Sequence, residues 1–342
     1  MDEARGVHLV GSIPAENTEA AMREATTRLG GRLRTLPDGE TGERSDWIVH
    51  IIESLRAHPD LRLSRGGDWS DYDHATSFRV RRGHRLRGET LDFGHVAAYQ
   101  DGLRVIEELR REPGLERLAF QAGIPGDLDM ALFTLGPAGA FRHRAAFADA
   151  TVREITELHR QAGDGVVFQL ELPAELVFVA KMPGPLRPAM AGFLASGVAR
   201  LAARSPEGAR FGVHLCLGDL GHRALGRMRD AGPLVALANA MLKRWPAGRP
   251  LEFVHAPFAA GIDPAPLDEA YYRPLAKLRL PDDVRFAAGF VHEDGDLDEH
   301  RRIRDIIERA LSRRVDLAAA CGLGRRTPEA AHRTMEIAAE LS

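Results

Sequence analysis

The sequence predicts an α/β protein folded as a single (β/α)8 TIM barrel, and three observations carry that prediction. Short apolar runs rich in Val, Leu and Phe alternate with longer segments of helical periodicity, the order expected of parallel strands joined by crossover helices. Eight candidate strands can be counted, at 7–12, 32–36, 117–122, 165–171, 210–216, 250–255, 284–291 and 315–320, and eight such units make a barrel. The 342 residues, 44% hydrophobic and 28% charged, suit one large domain (1–342) with ample core. A doubly wound open sheet is the competing arrangement.

In chain order, the first strand runs into Gly11-Ser12-Ile13-Pro14 and a helical segment at 16–29. The second is followed by Pro37-Asp38-Gly39-Glu40-Thr41-Gly42-Glu43-Arg44. The gap before the third strand is far longer than one helix requires. Residues 56–95 therefore read as an insertion over the barrel mouth, with a hairpin in it. The insertion holds Asp68-Trp69-Ser70-Asp71-Tyr72 and the cluster Arg79, Arg81, Arg82, Arg85 and Arg87, read as a solvated basic loop or as a contact for an anionic substrate group. Helical segments at 141–162, 187–204, 234–244, 271–278, 300–312 and 328–341 separate or follow the later strands. The acidic stretch 293–299 reads as a solvated loop.

Composition excludes several classes. The 46 basic and 49 acidic residues leave a net charge of -3, which argues against a nucleic-acid or general polyanion binder. No apolar run is long enough to span a membrane, and the acidic N-terminus has no signal-peptide core. Two cysteines, Cys216 and Cys321, rule out a disulfide scaffold and favour a reducing, cytoplasmic setting. There is no P-loop, and Gly322-Leu323-Gly324 breaks the spacing of a dinucleotide fingerprint.

The sharpest chemical signal is Val213-His214-Leu215-Cys216-Leu217-Gly218-Asp219. His214 and Cys216 are two apart on a strand, so their side chains share a face. Imidazole and thiolate together suit Zn²⁺. Cys321 ends the eighth strand, so both cysteines fall at C-terminal strand ends, where barrel enzymes build their active sites. Core filling by two small apolar thiols is the competing reading. Ser12, Asp38, Glu40, Glu171, His255 and His292 follow or close other strands and collect at the same rim.

At these motifs the chain resembles the catalytic C-terminal barrel of cobalamin-independent methionine synthase, in the superfamily that includes uroporphyrinogen decarboxylase. Gly11-Ser12-Ile13-Pro14 resembles the family's Gly-Ser-x-Pro element. Gly39-Glu40 with Glu43-Arg44-Ser45-Asp46 resembles Gly-Glu-x-x-Arg-x-Asp with a one-residue offset. Gln169-Leu170-Glu171-Leu172-Pro173 echoes Gln-x-Asp-Glu-Pro. His214 and Cys216 match His-x-Cys, and Ala320-Cys321-Gly322-Leu323 resembles Asp-Cys-Gly-Leu.

The resemblance implies a zinc site held by His214, Cys216 and Cys321. His255 stands where the family has a Glu ligand, with Glu252 the alternative, three residues earlier and so on the opposite strand face. It further implies that Ser12, Glu40 and Glu171 hold an amino-acid substrate, with Asp38 beside them, and that His292 or a nearby acid, Glu171, carries a proton. The implied activity is transfer of a methyl or alkyl group from a donor, a methyl-folate in the family's manner, to a small-molecule thiol activated as a zinc-bound thiolate. The family's N-terminal half, which helps bind folate polyglutamate, has no counterpart here. A metal-free decarboxylase or lyase of the superfamily, and a non-catalytic zinc- or ligand-binding barrel, are the competing functions. The sequence does not set the oligomeric state.

Overall fold

The structure is a computed structural model, and it describes residues 5–342. Eight strands lie in one parallel sheet: β1 (Val7–His8), β2 (Thr35–Pro37), β3 (Ala119–Pro125), β4 (Val166–Leu172), β5 (Arg210–Leu215), β6 (Leu251–Pro257), β7 (Arg285–Val291) and β8 (Asp316–Ala319). Strands β2 to β8 are neighbours in sequence order, and β1 pairs with β8. A parallel bridge between Val7 and Leu33 nearly closes the ring on its other side. The sheet is therefore a (β/α)8 barrel and not an open doubly wound sheet.

The strands sit within a few residues of their predicted positions because long apolar runs can only be central parallel strands, buried on both faces. All seven residues of β4 are buried. The helical segments are less complete in the sequence pattern. Helices Trp47–Ser54, Gln100–Leu109 and Pro173–Lys181 were not separable by periodicity. The segment 271–278 is one short helix, Glu269–Tyr272, followed by a 3-10 turn. The helical stretch Asp127–Ala162 is bent at Gly136, whose φ of 69° precedes Pro137. Proline cannot donate in the helical ladder, so the bend falls there.

Residues 56–95 contain an antiparallel hairpin, Leu61–Arg65 with Ser77–Val80. Its Trp69 and Tyr72 lean over the C-terminal end of the barrel, where the Tyr72 hydroxyl accepts a hydrogen bond from the Leu220 N–H at 3.1 Å. Gly218 makes room for this contact: a Cβ there would lie 2.5 Å from the Tyr72 oxygen. The arginines Arg79, Arg81, Arg82, Arg85 and Arg87 are exposed on the outer side. They line grooves with Arg142 and His143, and none lines the barrel mouth.

The barrel interior is layered. At the bottom, Ala119, Val167 and Phe253 form a small apolar plug separate from the main core. Gly212 accommodates the Phe253 ring, since a Cβ there would sit 2.0 Å from it. A Gly212→Ala variant should lose roughly 1–3 kcal/mol of stability, the usual cost of overpacking. Denaturant titration measures this, and an unchanged midpoint would mean that Phe253 can swing aside. Above the plug the interior turns polar. Thr35 donates to Gln121 Oε1 at 2.6 Å, and Gln121 donates to the Leu9 and Val10 carbonyls, both at 2.8 Å. Gln169 donates to the Val10 carbonyl at 2.7 Å and to Glu171 Oε1 at 2.6 Å. Buried polar groups satisfied in this way rigidify a core. The network leads upward to the rim.

Candidate metal centre and barrel mouth

Strand register brings three predicted site residues into one layer. Glu171 of β4 pairs with His214 of β5, and His214 pairs with His255 of β6. Side chains alternate along a strand, so all three point into the barrel. Cys216 follows β5 and Cys321 follows β8, both just above that layer. The cysteines are free thiols with their sulfurs 3.9 Å apart, far beyond a disulfide bond. Cys321 Sγ lies 3.8 Å from His214 Nε2. One donor atom from each of His214, Cys216 and Cys321 falls within 4.8 Å of the others.

The two distances from Cys321 fit the edges of a tetrahedral zinc site. With Zn–S bonds of about 2.3 Å and Zn–N bonds of about 2.0 Å, tetrahedral edges are roughly 3.8 Å between sulfurs and roughly 3.6 Å between nitrogen and sulfur. The hydrogen bonding of His214 fits as well. His255 Nε2 donates to the Ala319 carbonyl at 2.9 Å, so its Nδ1 is an acceptor. It lies 2.7 Å from His214 Nδ1, which must then be the donor. The lone pair of His214 is thereby placed on Nε2, the atom facing the cysteines. Gly289 leaves room for the supporting ring: a Cβ there would lie 2.8 Å from His255 Nε2.

Of the four ligands expected from sequence, His214, Cys216 and Cys321 fall in one donor group and His255 lies beside it. His255 faces inward, but both of its ring nitrogens are engaged and its ring stands behind His214. Its hydrogen bonds orient the His214 ring, the kind of support that metal-binding histidines commonly have. Glu252 points the other way and pairs with Arg210. Three protein donors converge, at the end of the barrel that opens to the mouth cavity.

The electrostatics agree. Burial, then the neighbouring His255, hold His214 well below the usual imidazole range, and burial lowers His255 to about 4. Both rings are therefore neutral, as metal ligation requires. The adjacent Cys321 thiol, then burial, push the Cys216 thiol well above its ordinary value. A cation is the natural counterweight for two adjacent sulfurs, one buried and one partly buried, since a coordinated thiol is deprotonated.

The cavity over this cluster is lined by Trp47, Ile48, Trp69, Tyr72, Phe133 and Pro173 on its apolar side. Its polar side holds Glu171, Cys216, Asp219, Cys321, Arg325 and Asp46. Glu171 Oε2 is 3.6 Å from His214 Nε2. Glu40 adjoins Glu171: a Cβ on Gly123 would meet Glu40 Oε1 at 3.3 Å and Glu171 Oε1 at 3.6 Å. Burial, then the Asp38 carboxylate, raise Glu40 to about 7, while burial, then Glu40, push Glu171 well above the carboxylate range. Glu40 also holds a positive φ of 45°, uncommon for a residue with a side chain.

The other predicted residues take supporting places. Asp38 accepts from the Glu40 N–H at 3.0 Å and pairs with Arg44. Ser12 Oγ accepts from the Gly324 N–H and from Arg325 Nη1, both at 3.2 Å, so it fixes the loop that carries Cys321. His292 is buried outside the mouth lining, its Nε2 donating to the Gly261 carbonyl at 3.2 Å. Arg325 and Asp219 line the mouth and were not singled out from sequence. The pointer to Arg325 was its place four residues after Cys321.

No protein-family profile and no curated protein matches the sequence. Solved structures do match. A B12-independent methionine synthase from Shewanella sp. W3-18-1, in complex with selenomethionine, superposes with a TM-score of 0.60 and 13% identity, over 98% of this chain and 97% of that one. A putative vitamin-B12 independent methionine synthase from Listeria monocytogenes gives a TM-score of 0.50 and 11% identity, over 99% and 98%. The class that fold and site define is a TIM barrel with a candidate His–Cys–Cys metal centre at its C-terminal mouth. Its fold is that of the B12-independent methionine synthase structures. Among the described residues, no helix is long and apolar enough to cross a membrane.

Proposed function

We propose that this protein is a zinc-dependent methyl or alkyl transferase whose acceptor is a small-molecule thiol. The observation that carries the reading is the convergence of His214 Nε2 and the two cysteine sulfurs within 4.8 Å of one another, with Cys321 at tetrahedral-edge distance from both partners, at the barrel mouth. Three protein ligands with a fourth position free is the pattern of catalytic zinc, whereas structural sites are closed by four. Bound there, zinc would act as a Lewis acid that keeps a substrate thiol deprotonated at neutral pH.

The chain's own residues do the rest. The apolar wall from Trp47, Trp69, Tyr72 and Phe133 excludes water and aligns the electrophilic carbon with the sulfur. Glu171 and Glu40 offer carboxyl groups to a substrate ammonium, and Arg325 offers a guanidinium to a substrate carboxylate. An amino-acid thiol satisfies all three. Selenomethionine, named for the Shewanella structure, is an amino acid of that shape with an alkylated chalcogen. The proton for a departing donor group comes from Glu171, which lines the cavity. His292 lies outside the lining and reaches that group only through an intervening carrier. A methyl-folate is the donor proposed by analogy, and any donor with an amine leaving group makes the same demand.

Homocysteine with a methyl-folate, and a panel of other thiols with alkyl donors, test the reading. Free thiol should disappear only when zinc is bound. Zinc-loaded protein that turns over nothing across the panel would overturn it.

Glu40 makes a separate prediction. Its carboxyl is neutral below about 7 and charged above it, so the KM for an ammonium-bearing thiol should fall as pH rises through 7. Glu40→Gln should remove that limb of the profile. Its raised pKa also means that the folded state holds a proton the unfolded chain releases near 4.5, so stability falls as pH rises from 4.5 toward 7. The shift corresponds to about 3 kcal/mol at most. The Gln variant should therefore be the more stable protein at pH 8 and lose the advantage near pH 4. A thermal-melt series over that range measures it, and parallel curves for the two proteins would exclude the raised carboxyl.

A further inference from the structure

We infer a second divalent-cation site at the barrel rim, formed by His222, His292 and Glu293 with Asp219 beside them. It is independent of the thiolate centre and does not rest on the proposed transferase activity. One donor atom from each of His222, His292 and Glu293 lies within 4.8 Å of the others. His222 Nε2 is 3.7 Å from Glu293 Oε1, and His222 Nδ1 is 3.5 Å from Asp219 Oδ1. His292 Nδ1 is 3.6 Å from Glu293 Oε2. These separations are too long for hydrogen bonds. The two separations to Glu293 approach the spacing of nitrogen and oxygen ligands around one ion, roughly 3.3–3.6 Å for bonds of about 2.0–2.2 Å, while Asp219 faces the other ring nitrogen of His222 and would orient that ring.

The surrounding contacts point the same way. His292 Nε2 donates to the Gly261 carbonyl at 3.2 Å, which places the lone pair on Nδ1, facing Glu293. That lone pair is otherwise met by the Asp294 N–H at 3.2 Å. Asp219 is only 7% exposed, yet both of its carboxylate oxygens are buried without a hydrogen-bond partner, and so is His222 Nδ1. Their 3.5 Å ion pair leaves both without a hydrogen bond, which is costly for buried groups. His222 also sits at a φ of 60°, a strain that local structure keeps only when something else requires it.

Arg326 donates to Glu293 Oε2 at 2.7 Å, the oxygen nearer His292, while Oε1 faces His222. The stretch read from sequence as a solvated acidic loop thus begins with a half-buried, ordered carboxylate. Two imidazoles with carboxylates favour zinc, iron(II), cobalt(II) or manganese(II) over calcium. Such an ion would tie the loop after β5, which brings Asp219 to the mouth, to the end of β7.

The rival state is a protonated His222 lying between the two carboxylates with no metal. Cobalt(II) titration of chelator-stripped full-length protein, followed by metal analysis and absorption, separates the two. The Cys216→Ser/Cys321→Ser double variant should still bind about one cobalt per chain, with a spectrum lacking sulfur-to-metal charge transfer. His222→Asn and Glu293→Gln should each lose that ion and keep the thiolate-type one. Asn tolerates the left-handed backbone and Gln keeps the Glu shape, so both variants should fold. A double cysteine variant that binds no cobalt, or His222→Asn and Glu293→Gln proteins with unchanged cobalt content, would overturn the second site and leave the protonated His222.

Discussion

Replacing either Cys216 or Cys321 by Ser should strip the mouth of its zinc and abolish thiol alkylation. Each sulfur is one of three converging protein donors, and a hydroxyl is a far poorer zinc ligand than a thiolate at neutral pH. Losing a hydrogen bond that merely supports a ligand costs 10–100-fold in metal affinity or activity. Losing a ligand should therefore cost more than about 100-fold. Folding should survive, because the two sulfurs lie above the barrel's apolar plug and contribute little to it. Cys321 is only partly buried. Sulfur-to-metal charge transfer in the cobalt(II) forms, measured beside circular dichroism, checks the prediction, because it reports the mouth ion alone. Folded serine variants that keep that charge transfer and their turnover would rule out a thiolate centre.

The second large effect concerns His255, where sequence and structure assign different roles. A fourth ligand, when removed, should behave like a cysteine. A group that orients His214 should behave more mildly. The structure engages both His255 nitrogens, one with His214 and one with the Ala319 carbonyl. His255→Ala should accordingly weaken zinc binding by about 10–100-fold while the thiolate signature persists. Because the ring is fully buried, the same variant should also lose stability, on the order of 2–4 kcal/mol for the cavity. His255→Asn, whose side-chain oxygen can accept from His214 Nδ1, should recover part of the affinity. Competition titration against a chromophoric chelator measures all three proteins. Complete loss of the thiolate-bound metal in His255→Ala would return His255 to the ligand sphere.

Much of this was legible before the fold was known, for identifiable reasons. Strand positions follow from apolar runs that only a doubly covered parallel sheet can bury, and β4 shows this most clearly. His214 and Cys216 were legible because a spacing of two on a strand fixes a common face. Cys321 was legible because it ends a strand. What the pattern could not supply was the depth of each side chain within the ring. His255 lies on the correct face and at the correct height, yet hydrogen-bond direction, which sequence does not encode, sets it behind His214. Ser12 and Asp38 likewise reach the rim but turn to the backbone of Gly324 and Glu40. Arg325 was missed because its loop has no periodicity to orient it. The hairpin arginines were a charge cluster without a location, and the fold puts them outside the mouth.

The most direct test of the central claim is the coordination of the metal itself. Zinc-edge X-ray absorption of the purified protein, or the absorption spectrum of its cobalt(II) form, reports whether sulfur is bound. The account predicts two sulfurs and one imidazole nitrogen on the mouth ion, with a further sulfur added when a thiol substrate binds. A metal with only nitrogen and oxygen neighbours, and two cysteines that titrate freely beside it, would contradict it.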